Sequence, residues 1–438
     1  MNIILLSGGS GKRLWPLSND IRSKQFIKIF KKEDGSYESM VQRMYRQIKS
    51  VDKGANITIA TAKSQVSSIH NQLKDNVEIS VEPARRDTFP AIALSAMYLK
   101  DVEHVGLDEA VVVCPVDPYV EDDYFVALEK LSKQAEKGEA NLVLMGIEPT
   151  YPSEKYGYII PMTHEETSFV ETFKEKPTKD VASEYISRGA LWNGGVFAFK
   201  LGYLVNKAHE LIEFTDYQNL FEKYATVEKI SFDYAVAEHE PNIQVQRYKG
   251  EWKDIGTWNT LSEAMEEPVI GKAVLNEKCS GVSVINEMDV PILAMGLHDV
   301  VISASPEGIL VSDKEQSSYI KPFVDNFESE IMFAEKSWGS YKVMDVENGS
   351  MTIKVTLNEG HSMNYHSHKH RDEVWVVLSG SGRTVVDGMQ QSISAGDVIT
   401  MAAGCRHTVF ADSELKLIEV QLGEAITADD KVKYELEL

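Results

Sequence analysis

The chain has 438 residues, 43% hydrophobic and 26% charged, with 67 acidic against 45 basic side chains and a formal net charge of −22. A surface this acidic repels phosphate backbones and anionic bilayers, which argues against a general nucleic-acid or membrane binder unless a local basic pocket overrides the mean. The length predicts two or three domains of roughly 100–200 residues each, with ample apolar content for real cores.

At the start, Met1-Asn-Ile-Ile-Leu-Leu is apolar over too short a run for a signal peptide and leads directly into Ser7-Gly-Gly-Ser-Gly. No later stretch reaches the ~20 apolar residues that span a bilayer. Cys114, Cys279 and Cys405 are widely spaced and form no CxxC pair, which argues against a disulfide framework or a thiolate zinc site. A cytoplasmic protein without membrane or nucleic-acid partners is expected.

The first half alternates short apolar runs with amphipathic segments, the pattern of βα units around a mostly parallel sheet. Strands are predicted at Asn2 to Leu6, Ile57 to Ala60, Ala110 to Cys114 and Leu142 to Gly146, and helices at Ala91 to Val102 and Tyr124 to Lys137. From about Gly271 short β-rich pieces replace the helical windows: Val282-Ser-Val-Ile, Val290-Pro-Ile-Leu-Ala and Asp299-Val-Val-Ile-Ser. After Phe333 alternating strands are punctuated by Gly360, Gly380, Gly382, Gly388, Gly396 and Gly404, which suits a barrel or sandwich. The expected domains are an α/β domain over 1–268, an all-β connector over 269–332 and a β-barrel over 333–438.

The segment Leu5-Leu-Ser-Gly-Gly-Ser-Gly-Lys-Arg-Leu-Trp-Pro-Leu follows the first strand. Its glycines permit positive φ and close backbone approach, so successive N–H groups can face a phosphate. A Walker A loop fails because Leu6 stands at its first glycine and Arg13 follows Lys12, and a dinucleotide fingerprint wants glycine at Leu14. A lone Gly-Gly-x-Gly is more often a tight turn without ligand. Lys12, Arg13 and Lys24 shift that weighting, since three nearby cations in so acidic a chain call for a local anion.

These residues resemble the signature loop of the sugar-1-phosphate nucleotidyltransferases, most closely the mannose-1-phosphate guanylyltransferases. The resemblance continues through Glu82-Pro-Ala-Arg-Arg-Asp-Thr-Phe-Pro, Pro115-Val-Asp117, Tyr156-Gly-Tyr-Ile, Phe173-Lys-Glu-Lys-Pro, Trp192-Asn-Gly-Gly-Val-Phe, Phe232-Asp-Tyr-Ala and Trp252-Lys-Asp-Ile-Gly-Thr-Trp. It implies a Rossmann-like domain that joins GTP to mannose-1-phosphate with release of pyrophosphate. It assigns Arg13, Lys24, Asp117 and Asp254 to catalysis, with both aspartates holding Mg²⁺. The nucleotide falls to Ser7, Gly8, Gly9, Gly11, Lys12, Glu82 and Arg86, and the sugar phosphate to Gly157, Glu175, Lys176 and Asn193. The sequence departs from the usual family pattern at Lys12 (Thr), Ser23 (Pro), Asp87 (Asn) and Pro118 (His), which bears on base and sugar preference. Another sugar or nucleotide is the alternative reading.

Near the C-terminus His366 and His368 share one face of a strand, because the period is two, with Glu373 on the next strand and a distant His407. Three nitrogens and a carboxylate suit Zn, Fe, Mn, Ni or Co, and His370 is expected at the turn. The spacing resembles the first cupin motif in full and the second in part, as in the phosphomannose isomerase modules appended to such transferases. The resemblance implies either an isomerase, with Arg371 or Arg406 as phosphate partners, or a non-catalytic metal or assembly module. A homo-oligomer is expected.

Overall fold

The computed structural model describes all residues except 10, 11, 20, 75, 328–330, 425, 428, 429, 437 and 438. Asn2–Ser7 pairs in parallel with Asn56–Ala62 on one side and Ala110–Pro115 on the other, and Glu78–Glu82 extends the parallel run. The run from Val111 to Cys114 is apolar without alternation, and all of it is buried, as expected for a strand covered on both faces. Two apolar clusters flank the sheet accordingly.

Beyond Ala110–Pro115 the sheet continues through Leu191–Lys200, Leu142–Ile147, Ile243–Tyr248, Thr167–Lys174 and Tyr158–Pro161, making nine strands. Leu191–Lys200 runs antiparallel to both Ala110–Pro115 and Leu142–Ile147. The chain winds outward from Asn2–Ser7 in one direction and then returns to its other side with Ala110–Pro115. That reversal opens a crevice beyond the carboxyl ends of these two strands, the usual ligand position in open α/β sheets. The predicted helices form as Thr88–Asp101 and Asp122–Lys137. The second carries Asp122 and Asp123 in its first turn and stops at Gly138, whose φ of 68° suits a left-handed cap.

The connector is built of parallel strands, Val269–Gly271, Ser283–Asn286 and Val300–Ser305, with Gly308–Asp313 antiparallel at one edge. A second parallel pair, Ala273–Leu275 with Ile292–Ala294, gives it a β-helix-like form. It closes on a 3-10 turn, Gln316–Tyr319, and a one-turn helix, Lys321–Val324. Pro322, near the helix start, has no N–H to offer a further strand.

The C-terminal region packs a six-stranded sheet against a five-stranded one around Trp375, Leu357, Val377, Leu415 and Leu417, a cupin-type barrel. The three regions are joined by polar contacts. Arg22 pairs with Glu287 at 2.8 Å, Ser305 Oγ donates to Pro16 O at 2.6 Å, and Gln72 Nε2 donates to Glu335 at 2.9 Å. Among the described residues no helix is long and apolar enough to cross a membrane.

Candidate active site

The loop after Asn2–Ser7 is held from below by buried side chains. Gln25 Nε2 donates to Ser7 Oγ at 3.0 Å, Gln65 Nε2 donates to Ser23 Oγ at 2.6 Å, and Thr61 Oγ1 donates to Gln65 Oε1 at 2.8 Å. Ser23 Oγ in turn donates to Gly9 O at 3.3 Å. Gly9 sits at φ 118°, a conformation that L side chains rarely adopt. With its carbonyl engaged from beneath, this backbone borders a cavity of about 280 Å³ lined by Gly8, Gly9, Lys12, Arg13, Leu14, Lys24, Asp117, Gly256 and Lys321. Ser7 supports the loop rather than lining that cavity, and Gly11 lies outside the described residues.

Four cations against one carboxylate make this cavity a basic exception on a molecule of charge −22. Lys24 Nζ lies 2.8 Å from Asp117 Oδ2 and 3.9 Å from Asp254 Oδ1, and donates to Ile255 O at 3.1 Å. The aspartates come from distant chain segments, joined by the antiparallel pair Pro118–Val120 and Trp252–Asp254. Desolvation raises the Asp254 carboxyl above its ordinary pKa, Lys24 opposes this, and Asp117 adds repulsion. Two carboxylates that repel each other beside a basic cavity form a donor set suited to a hard divalent cation.

Asp117 is shared with a second cavity of about 210 Å³, lined by Asp254 and, among others, Lys155, Tyr156, Gly157, Glu175, Asn193, Asp233 and Trp252. Asn193 N donates to Gly157 O at 2.8 Å, fixing the backbone edge. Asn193 Nδ2 donates to Asp233 Oδ1 at 2.6 Å. Burial, then the Glu175 charge, pushes Asp233 up to about 6. Glu175 Oε1 pairs with Lys176 at 2.9 Å, while Glu175 Oε2 is buried without a hydrogen-bond partner among the described residues. A Cβ at 157 would lie 2.4 Å from Glu175 Oε2, so any larger residue there displaces that carboxylate. A cavity offering carboxylates, an amide and an unpaired buried acceptor can bind hydroxyl groups.

The sequence-predicted Glu82 and Arg86 line neither cavity. Glu82 accepts from Tyr224 OH at 2.8 Å, and Arg86 donates to Ala225 O. Asp233, Lys155, Lys321 and the Gln25–Gln65 support were not anticipated. Asp233 had a signal, since it lies within Phe232-Asp-Tyr-Ala, but each of the others acquires meaning only through the topology.

In the C-terminal barrel His366 pairs with His407 across adjacent strands. Ligand atoms of His366, His368 and His407 lie within 4.8 Å of one another, all buried. Each Nδ1 faces a backbone carbonyl: His366 that of Asn364 at 2.6 Å, His368 that of Asp430 at 2.9 Å and His407 that of Cys405 at 3.1 Å. Such partners fix the tautomer and leave Nε2 free to accept. Burial, then the Lys431 charge, lowers His366 to about 3, so its ring stays neutral.

Glu373 approaches His368 Nε2 at 3.1 Å and His407 Nε2 at 3.2 Å. Arg371 competes for the same groups, with Nε 3.1 Å from Glu373 and Nη2 3.1 Å from His368 Nε2. It is thereby drawn into the cluster, whereas Arg406 stacks on Tyr434 at 4.1 Å. Glu419 was not anticipated, although it occupies an inward position of a strand whose alternate residues Leu415, Leu417 and Gln421 are buried. Burial and then the Glu373 charge raise its carboxyl above the ordinary range.

An open α/β sheet with a basic glycine loop, a carboxylate pair and an adjoining hydroxyl-binding cavity is an arrangement for moving a phosphate-bearing group between two anionic reactants. Residues 2–268 match the Nucleotidyl transferase family, to which the chain belongs, and it is a nucleotidyltransferase enzyme. Residues 327–436 match the Mannose-6-phosphate isomerase C-terminal family. The chain is 27% identical to the mannose-1-phosphate guanylyltransferase RfbM of Salmonella typhimurium, covering 99% of this chain and 96% of that one. It is likewise 27% identical to the mannose-1-phosphate guanylyltransferase of Escherichia coli, at 98% and 97% coverage. A solved structure from Thermus thermophilus, described as a mannose-1-phosphate geranyltransferase, superimposes with a TM-score of 0.60 at 27% identity, covering 75% of this chain and 99% of that one.

Proposed function

We propose that the protein transfers GMP from GTP to mannose-1-phosphate, giving GDP-mannose and pyrophosphate. The observation that carries this reading is the pair of adjoining cavities that share Asp117: one basic and glycine-lined, the other lined by hydroxyl partners. Full-length similarity to proteins named for this activity supports the choice of sugar and base. In this reading Gly8, Gly9, Lys12 and Arg13 hold the triphosphate, and Arg13 neutralises the leaving pyrophosphate. Glu175, Asn193 and Asp233 take sugar hydroxyls, while Lys155 and Lys176 attract the sugar phosphate. An oxygen of that phosphate then attacks the α-phosphorus in line, so alignment and charge neutralisation are the protein's main tasks. Asp117 and Asp254 would hold Mg²⁺, which screens phosphate charge when bound; Lys24 supplies positive charge at the same place.

Pyrophosphate release measured with GTP, ATP, CTP and UTP against mannose-1-phosphate and glucose-1-phosphate tests the assignment. GTP with mannose-1-phosphate should give the highest kcat/KM, and a clear preference for another pair overturns it.

A second activity is favoured by the three converging imidazoles. His366, His368 and His407, with Glu373, would hold a divalent transition metal such as Zn, Fe, Mn, Ni or Co. That ion would polarise the oxygens of a bound sugar phosphate. Glu419, a buried carboxyl beside Glu373 whose pKa burial raises, is the candidate proton carrier for a mannose-6-phosphate isomerase reaction. A coupled assay with metal-loaded protein should show interconversion of mannose-6-phosphate and fructose-6-phosphate; its absence eliminates this activity and leaves a non-catalytic metal module.

A further inference from the structure

Lys321 lies outside the stretch 2–268 that matches the transferase family, yet it lines the glycine-loop cavity together with Lys12, Arg13 and Lys24. Its position is set by a short segment seated on the flank of that loop. Pro322 is the second residue of the one-turn helix Lys321–Val324, whose Val324 is buried. Asp325 pairs with Lys12 at 3.4 Å, and the ring of Phe327 meets Trp15 edge-on at 5.0 Å. From the preceding hairpin Gly308 approaches the same indole so closely that a Cβ would lie 2.5 Å from it. Contacts on both sides of Lys321 therefore bind the connector to the residues just after the phosphate loop.

Three explanations compete for a lysine in this place. A structural ion pair fails, because among the described residues Lys321 has no carboxylate partner, whereas Lys12 and Lys24 do. A purely solvated lysine is the default for an exposed side chain, but this one borders a cavity already holding three other cations. Lys12 and Lys24 are each offset by a carboxylate, but adding Lys321 beside Arg13 leaves the cavity with excess positive charge, which an anion sharing the space relieves. The third explanation is a ligand contact. We propose that Lys321 binds the triphosphate of the nucleotide, and hence the pyrophosphate product, so that the transferase site is completed by a residue of the connector. This rests on the nucleotidyltransferase reading but not on which base or sugar is used.

Steady-state kinetics of the full-length protein in both directions test the proposal. The variants are Lys321→Ala, Lys321→Glu and Lys321→Arg, each checked for an unchanged thermal midpoint. Loss of one charge-assisted contact at an exposed edge should raise KM for GTP and for pyrophosphate about tenfold in Lys321→Ala. Lys321→Glu should raise both further, and Lys321→Arg should restore both. KM for mannose-1-phosphate should not move, and direct calorimetric titration with inorganic pyrophosphate should weaken in parallel. Unaltered KM values in Lys321→Ala, or a fall in kcat alone without any change in triphosphate or pyrophosphate KM, overturn the proposal while leaving the transferase reading intact. A wild-type protein that turns over no nucleotide with any sugar-1-phosphate overturns both.

Discussion

The ammonium of Lys24 lies between Asp117 and Asp254, and Arg13 lines the cavity beside them, so the four charges of the catalytic proposal are mutually dependent. Removing one member leaves the others in an uncompensated field that a substrate must then correct. Arg13→Ala and Asp254→Ala should each lower turnover by about a hundredfold or more, the usual scale for deleting a preorganised charge that acts on the transition state. Both side chains are at the cavity edge, so thermal midpoints should be unchanged. A near-normal rate of pyrophosphate release in either folded variant removes that residue from its role. Asp233 yields a different test. Its folded pKa of about 6 exceeds the ordinary 3.8, so the native state keeps a proton that the unfolded chain has released. The contribution of that proton to stability is fully present below about pH 4 and is lost as pH rises through 6. Asp233→Asn keeps an oxygen to accept from Asn193 and cannot ionise. The urea midpoint of the variant, relative to wild type, should therefore rise between pH 4 and 7 and level off above it. A difference that does not vary with pH contradicts a protonated Asp233.

The turn carrying Gly157 shows how an element shapes a site through what it leaves out. A methyl group at 157 would meet Glu175 Oε2 at 2.4 Å and the Phe173 ring at 3.2 Å, so the carboxylate must move away from the sugar cavity. Gly157→Ala should raise KM for mannose-1-phosphate by about tenfold or more, since small displacements of a positioning group are costly. The KM for GTP should remain as it was; a parallel rise in both would show that the whole crevice had moved. Much of this region was legible beforehand. The runs around Asn2–Ser7 and Ala110–Pro115 are apolar and bounded by turn residues, and the loop glycines with Arg13 pointed to the segment that lines the basic cavity. The antiparallel strands Thr167–Lys174 and Leu191–Lys200 were not read as strands. Trp192-Asn-Gly-Gly interrupts the apolar pattern of one, and mostly half-exposed or exposed residues blur the other. A four-residue helix such as Lys321–Val324 is too short to show a period at all. Arg13, Lys24 and Asp117, which the resemblance singled out, line one cavity, and Asp254 stands 3.9 Å from Lys24. Gln65 and Lys321 carried no comparable signal, because an isolated glutamine or lysine acquires a role only when distant strands bring it to the loop.

In a chain with 67 acidic against 45 basic side chains, four cations still line one cavity, and the two polar sites rest on separate apolar clusters, one beside the nine-stranded sheet and one inside the barrel. The contacts between them are local: Asn358 Nδ2 donates to Asn71 at 3.0 Å and Asn19 Nδ2 to Phe333 O at 3.0 Å. Neither involves a residue that lines the phosphate cavity or belongs to the histidine cluster. The two chemistries should therefore be separable by mutation. In the barrel, three imidazoles with their Nδ1 atoms engaged by carbonyls present Nε2 toward one another, and Arg371 is the cation that a metal must displace from His368. Adding Zn²⁺ or Co²⁺ at about a hundred times its dissociation constant contributes about 2.7 kcal/mol to the folded barrel. That should move the barrel's thermal transition upward by on the order of 10 °C. The measurement must follow the barrel's own transition, because a chain of several cores need not unfold in one step. His366→Ala and His407→Ala should abolish the shift and any isomerase activity while leaving GTP turnover with Mg²⁺ unchanged. A wild-type barrel transition insensitive to every divalent metal tried would show that Arg371 retains the cluster and that the histidines serve packing instead.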